Sequence, residues 1–159
     1  MASDPIAALE YETMVFGRHL SLLPRRPRRR GGVLDHSAYV LLALLCGRGP
    51  MSIRQLSEIT GLEASTLNRQ TAALRRDGYA ERMADPGGGP AKKFQLTEAG
   101  REIFREERRE SHRILESLVA DWSGEDRATL ATLLARFNRA IEKRAGRQWP
   151  RAGRDVDPG

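Results

Sequence analysis

Cysteine is almost missing from this sequence. Cys46 is the only one among 159 residues, so no intrachain disulfide framework can form and a reducing, cytoplasmic setting is expected. Long apolar runs are missing too. The most apolar stretch, Tyr39 to Cys46, is less than half of the roughly 20 residues a membrane span needs, so a soluble chain with no membrane partner is expected. The opening MASDPIAALEYETM lacks a basic region followed by an apolar core, and a secretory signal is not expected. Histidine is scarce. His19, His36 and His112 form no local ligand pair, and a metal site would require three distant helices to converge with a Glu or Asp35. No metal or other cofactor is expected. The sequence also lacks Gly-x-Ser-x-Gly, Gly-x-x-x-x-Gly-Lys, His-Glu-x-x-His and paired-cysteine motifs, so it offers no catalytic constellation and does not read as an enzyme.

Positive charge is what the chain has in excess. The net charge is +6, and the sequence pI is about 10.2. The excess is concentrated in Arg25, Arg26, Arg28, Arg29 and Arg30, whereas the segments on either side nearly balance. A concentrated basic run points to a polyanion, with nucleic acid first. The alternative is a solvated arginine loop.

Apolar periodicity gives the order of elements. Ile6, Leu9, Thr13, Phe16 and Leu20 recur at helical spacing. The Pro24 to Gly32 segment breaks that helix through its prolines, paired glycines and repelling arginines. Asp35 can cap a second helix with Ala38, Leu41, Leu42 and Leu45 on one face, ending at Gly47 to Pro50. Cys46, beside Leu44 and Leu45 with no basic residue before Arg48, is expected to be a core thiol. Ser52 and Gln55 form a capping-box pair that opens a short helix with Ile53, Leu56 and Ile59 inward. After Gly61-Leu62-Glu63, the inward set Leu67, Thr71 and Leu74 marks another helix running to Asp77-Gly78. Two short helices joined by a glycine-containing turn are a helix-turn-helix signature.

Tyr79 to Met83 reads as a strand, Asp85 to Pro90 as a loop and Lys92 to Thr97 as the returning strand of a wing. Thr97 then caps a charged helix expected to run to about Trp122, with Ile114, Leu115, Leu118, Val119 and Trp122 as its apolar stripe. Ser123 and Asp126 cap a last helix carrying Leu130, Leu133, Leu134, Phe137 and Ile141. The expected fold class is mainly α with a small β-hairpin wing. Residues 33–97 would form a winged helix-turn-helix domain, residues 1–24 and 98–145 a helical dimerisation region, and residues 146–159 a disordered tail.

Three segments, Leu56-Ser-Glu-Ile-Thr-Gly-Leu-Glu-Ala-Ser-Thr-Leu-Asn-Arg69, Leu74-Arg-Arg-Asp-Gly-Tyr79 and Phe94-Gln-Leu-Thr-Glu-Ala-Gly100, resemble the MarR family of bacterial transcription regulators. The order of elements from Ile6 to Ala145 is similar as well. The resemblance implies a cytoplasmic homodimer that binds pseudopalindromic duplex DNA, usually as a repressor released by a small ligand or by oxidation. The sequence departs from the family where its wing carries Asp-x-Arg, since Gly88 and Pro90 occupy those slots. Redox-sensing members keep a cysteine near the first helix, and this chain has none there.

In such a frame Ser65, Thr66, Asn68, Arg69 and Gln70 occupy the early turns of the recognition helix, where side chains reach base edges. Arg69 stands out because arginine is the common reader of guanine. Arg54, Arg75, Arg76, Arg82, Lys92 and Lys93 flank it as candidate phosphate contacts. A small-molecule effector pocket lined by Phe16, His19, His36 and Tyr39 is the expectation for control. Two alternatives stay open: a winged helix used for protein assembly, and a DNA binder with no effector.

Overall fold

The computed structural model describes residues 4–22 and 36–151. Asp35 and the arginine run at 25–30 lie outside the described residues. Two compact units are distinguished, one ending at His36 and the other beginning at Ser37.

The first unit holds helix α1, Pro5–Leu22. Asp4 Oδ1 accepts from the Ile6 N–H at 3.0 Å and so closes its first turn. The apolar side chains Ile6, Leu9, Met14 and Phe16 are all exposed within the described structure.

From Ser37, the second residue of α2 (His36–Arg48), the second unit runs on through β1 (Met51–Ser52), α3 (Ile53–Thr60), α4 (Ala64–Arg76), β2 (Ala80–Met83), β3 (Lys93–Leu96), α5 (Glu98–Leu118) and α6 (Gly124–Ala145). Its core is the winged helix-turn-helix. Leu41, Leu42, Leu44 and Leu45 of α2 are buried with Leu56, Leu67, Leu74, Phe94, Leu96 and Phe104. The burial of Leu44 widens the stripe expected on α2. Cys46 corrects another expectation, because it is exposed rather than a core thiol; it stands in the last turn of α2, beyond the leucines that enter the core. Buried Thr71 is compatible with that core because its Oγ1 donates to the Leu67 carbonyl at 2.8 Å.

The expected capping box is present: the Ser52 Oγ accepts from the Gln55 N–H, and Gln55 Oε1 accepts from the Ser52 N–H. Ser52 also belongs to a strand that local patterning did not suggest. β1 pairs with β3 in the antiparallel order β1-β3-β2, with Met51 opposite Phe94 and Arg82 opposite Phe94 on the other side. The wing is thus anchored to the start of α3.

Thr97 joins the wing to α5. Its Oγ1 accepts from the Gly100 N–H and donates to the Gly78 carbonyl at 2.6 Å, while its own N–H donates to the Tyr79 carbonyl. This seam explains the glycine at 100, since a Cβ there would collide with the Tyr79 carbonyl oxygen. Beyond Phe104, one turn past Gly100, no residue of α5 is fully buried. α5 ends at Leu118, not near Trp122, because Val119 closes the helix and Arg127 donates from its guanidinium to the Val119 and Ala120 carbonyls. Those two bonds satisfy the carbonyls of the cap residue and of the residue after it, where the chain turns toward α6. Ser123 caps α6 as expected, accepting from the Asp126 N–H, yet Leu130, Leu133, Leu134, Phe137 and Ile141 are all exposed. Residues 146–151, part of the segment expected to be disordered, hold defined contacts; residues 152–159 lie outside the described residues. No described helix is long and apolar enough to cross a membrane.

Candidate nucleic-acid interface

The helical period of α4 separates a buried face from an exposed one. Leu67, Thr71 and Leu74 enter the core, which leaves Ser65, Asn68, Arg69, Ala72, Arg75 and Arg76 exposed. Residues three and four apart share a face, so Ser65, Asn68, Arg69 and Ala72 form one continuous strip. Thr66 and Gln70 are half-buried at its flank. The Gln70 Oε1 is fully enclosed with no hydrogen-bond partner among the described residues. Ala72 was not singled out by sequence reasoning, although its spacing from Asn68 and Arg69 was the available signal. An alanine there lets the helix approach a surface closely, and its methyl suits a thymine methyl.

The orientation of α4 is set by the turn before it. Gly61 caps α3 in the left-handed region at φ 71°, with its N–H on the Ser57 carbonyl, and Ser57 Oγ donates to the Leu62 carbonyl at 2.8 Å. Glu63 then opens α4 without giving a side-chain acceptor to the first-turn amides. Such a helix start presents N–H groups and positive dipole to a nearby anion.

The flanking cations differ in how they are held. Arg54 is exposed on α3, with its Nε 2.9 Å from Glu58. Arg75, Arg76 and Arg82, with Ala72, Ala80 and Glu81, line an open polar groove of about 590 Å³ between α4 and β2. Arg82 lies over the Phe94 ring at 5.4 Å, which fixes its guanidinium while leaving it exposed. Lys92 is exposed at the base of the wing. Lys93 is engaged elsewhere: its Nζ is 2.8 Å from Asp85 Oδ1.

Asp85 organises the wing loop. Its carboxylate accepts from the Gly87 N–H and its carbonyl from the Gly88 N–H, with Gly88 at φ 77°. A Cβ on Gly89 would press on the same carboxylate. The hydrogen bond from Lys93, helped by that from Gly87, holds the Asp85 carboxyl below its ordinary value of 3.8. Lys93 therefore serves as a fastener of the loop, a role that spacing could not reveal because Asp85 lies across the hairpin.

The residues considered for an effector are distributed over both units. Phe16 and His19 are exposed on α1, and His36 is exposed at the start of α2. Tyr39 is half-buried, its ring 5.6 Å from that of Phe104 and tilted by 35°. Among the described residues no group of three His, Cys, Asp or Glu could hold a metal ion.

Comparison with known proteins places this geometry. A family model described as winged helix-turn-helix DNA-binding matches residues 34–81. An uncharacterised HTH-type transcriptional regulator of Bacillus subtilis, YxaD, is 31% identical over 138 residues, covering 87% of this chain and 96% of YxaD. Two solved structures share the fold. A MarR family protein from Bacillus stearothermophilus superposes with a TM-score of 0.66 at 20% identity, over 88% of this chain and 99% of the other. FabT of Streptococcus pneumoniae, solved in complex with DNA, gives 0.69 at 22% identity, over 88% and 99%. With the YxaD match covering 87% of this chain and 96% of YxaD, the chain belongs to the HTH-type transcriptional regulators, and its winged helix-turn-helix fold is the one that MarR family proteins have.

Proposed function

We propose that the chain works as a homodimeric repressor that reads a pseudopalindromic duplex with α4 and is released by a small apolar or aromatic ligand. The observation that carries the DNA-reading part is the exposed strip Ser65, Asn68, Arg69 and Ala72, set directly opposite the buried Leu67, Thr71 and Leu74. Asn68 and Arg69 suit adenine and guanine edges in the major groove, where each bidentate pair discriminates by about 1–3 kcal/mol. Arg54, Arg75, Arg76, Arg82 and Lys92 surround the strip, where phosphate contacts would fix register without reading sequence. Lys93 contributes by stiffening the wing through Asp85 rather than by reaching phosphate itself.

Homodimerisation is supported by the apolar side chains exposed along α1 and α6; in this reading residues 1–24 and 98–145 form the dimerisation region and residues 33–97 the DNA-binding domain. Two copies of α4 would then lie about 34 Å apart, one helical turn of DNA. Release by a ligand is supported by the family resemblance, with Phe16, His19, His36 and Tyr39 as its candidate contacts. Such a ligand acts only through its differential affinity for two spacings of the paired α4 helices.

The test is selection of duplexes from a randomised pool by the full chain, followed by footprinting. Enrichment of an inverted repeat with half-sites about one turn apart is expected. Recovery of no preferred sequence, with weak and uniform binding to all duplexes, would overturn the reading and favour a winged helix used for protein assembly.

A further inference from the structure

The chain does not leave α6 into solvent. Gly146 closes that helix in the left-handed region at φ 66°, and the Arg147 N–H donates to the Glu142 carbonyl at 3.1 Å. The path then reverses with Trp149 and Pro150 half-buried. Arg151 returns to α6, placing its Nη1 at 2.9 Å from Glu142 Oε2 and its Nη2 at 2.6 Å from Glu142 Oε1. This is a bidentate fork, the geometry in which arginine binds a carboxylate with most directional control. It closes residues 142–151 into a hook, and the Arg151 guanidinium holds the Glu142 carboxyl below its ordinary 4.5.

The hook places a second arginine on the helix-turn-helix. The guanidinium of Arg147 lies directly against Gly61, in the space that a Cβ at that position would occupy. Gly61 is the left-handed cap between α3 and α4, so it meets two requirements at once: the backbone angle, and room for a flat cation. The C-terminal end of α3, where carbonyl groups converge, favours positive charge at this point. A planar guanidinium can lie flat on a residue that has no side chain.

We propose that Arg147 is a positioning residue for the recognition helix, acting through Gly61, and that the hook braces the α3–α4 turn against the C-terminal end of α6. The dimerising helix and the DNA-reading helix are then mechanically joined within one protomer by a contact that bypasses both α5 and the wing. This deepens the proposed function and rests on it for its consequence in DNA binding, whereas the brace itself is a property of the free protein.

The test uses the full chain with Arg147→Ala, Arg147→Lys and Glu142→Ala. Hydrogen exchange without DNA should show amides from Gly61 to Leu67 exchanging about tenfold faster in Arg147→Ala and Glu142→Ala, while amides of the α2 core keep their protection. Affinity is then measured across salt for a duplex selected by the wild-type chain and for a random duplex. A positioning role predicts a loss of about 5- to 20-fold for the selected duplex, unchanged random binding and an unchanged salt slope. Arg147→Lys keeps the charge but not the flat group, and should retain most of both defects.

Unaltered exchange in Arg147→Ala and Glu142→Ala would overturn the brace. Equal losses on both duplexes, with a slope shallower by about one unit and rescue by lysine, would make Arg147 a phosphate contact instead and overturn the positioning role. If the wild-type chain selects no duplex, the DNA reading fails while the exchange result still decides the brace.

Discussion

The winged helix-turn-helix and the helical arm of α6 carry apolar residues at similar helical spacing, yet they end in opposite environments. Leu56, Leu67 and Leu74 are almost wholly enclosed by their own chain, as is Phe94 on β3. Phe137 and Leu133, equally regular in their placement, remain 41% and 54% exposed. The first region has already gained the burial that stabilises it, whereas the second keeps an apolar face that water must cover until another surface does. The winged domain thus buries its apolar residues within one chain, whereas those of α6 stay exposed among the described residues. The charge pattern points the same way. The early turns of α5 are a lattice of ion pairs, Glu98 with Arg101 and Arg105, and Glu102 with Arg105 and Arg109. Such a helix can stand in solvent between two bodies.

The sharpest way to break this contrast is to truncate one aromatic ring from each region. Phe94→Ala should cost about 3–5 kcal/mol, because it opens a cavity between β3 and the helices that a small core cannot refill. Phe137→Ala should cost much less in a dilute sample and show its effect as a concentration-dependent melting temperature. Equal losses at every concentration would remove the distinction between a finished and an unfinished region.

Much of the finished region was legible in the sequence because its signals are local. The Ser52 and Gln55 box, the Gly61 turn and the Thr97 cap each lie within a few residues, and their side-chain types imply their geometry. What escaped notice depends on distant partners. β1 has only two residues and exists because Met51 meets Phe94. Lys93 reads as a free cation until Asp85 is seen beside it across the hairpin. The stretch from Gly146 has the glycine, arginine and proline content of a tail, and nothing local indicates that Arg147 reaches Gly61. The end of α5 was placed too late because Val119 and Trp122 continue the apolar spacing, while Arg127, which closes the turn, lies on the next helix.

The comparison extends to how each region would meet DNA. Replacing all five arginines at 25, 26, 28, 29 and 30 by serine should flatten the dependence of log K on log salt by roughly 2 to 4 units if about half or more of them meet phosphate, and sequence preference should survive. An unchanged slope would assign that charge to solvent. Arg69→Ala should act in the opposite sense, relaxing discrimination at one base pair by about 1–3 kcal/mol with at most about one unit of slope lost. Competition between selected and single-mismatch duplexes reads this directly; a uniform loss on every duplex would remove Arg69 from base reading.

A smaller effect is expected from pH. The carboxyls of Asp85, Glu102 and Glu142 are all held below their ordinary values, in each case chiefly by a hydrogen bond from a basic side chain. The unfolded chain binds protons at these groups more readily than the folded one, so their contribution is fully present above the ordinary carboxylate range and disappears as pH falls through the lowered values. The melting temperature should thus be insensitive to these groups near neutrality and decline in acid. Asp85→Asn and Glu142→Gln should each make that acid decline shallower, and a decline of undiminished steepness would contradict the assignment.

The central claim is that the α6 arm is completed by a second copy of the chain. Sedimentation equilibrium of the full chain at micromolar concentration tests it most directly. The expected result is a species of about twice 17.8 kDa that dissociates when Leu133 and Phe137 are both replaced by aspartate, with the winged domain still folded. A stable, well-folded species of 17.8 kDa across that concentration range would contradict it.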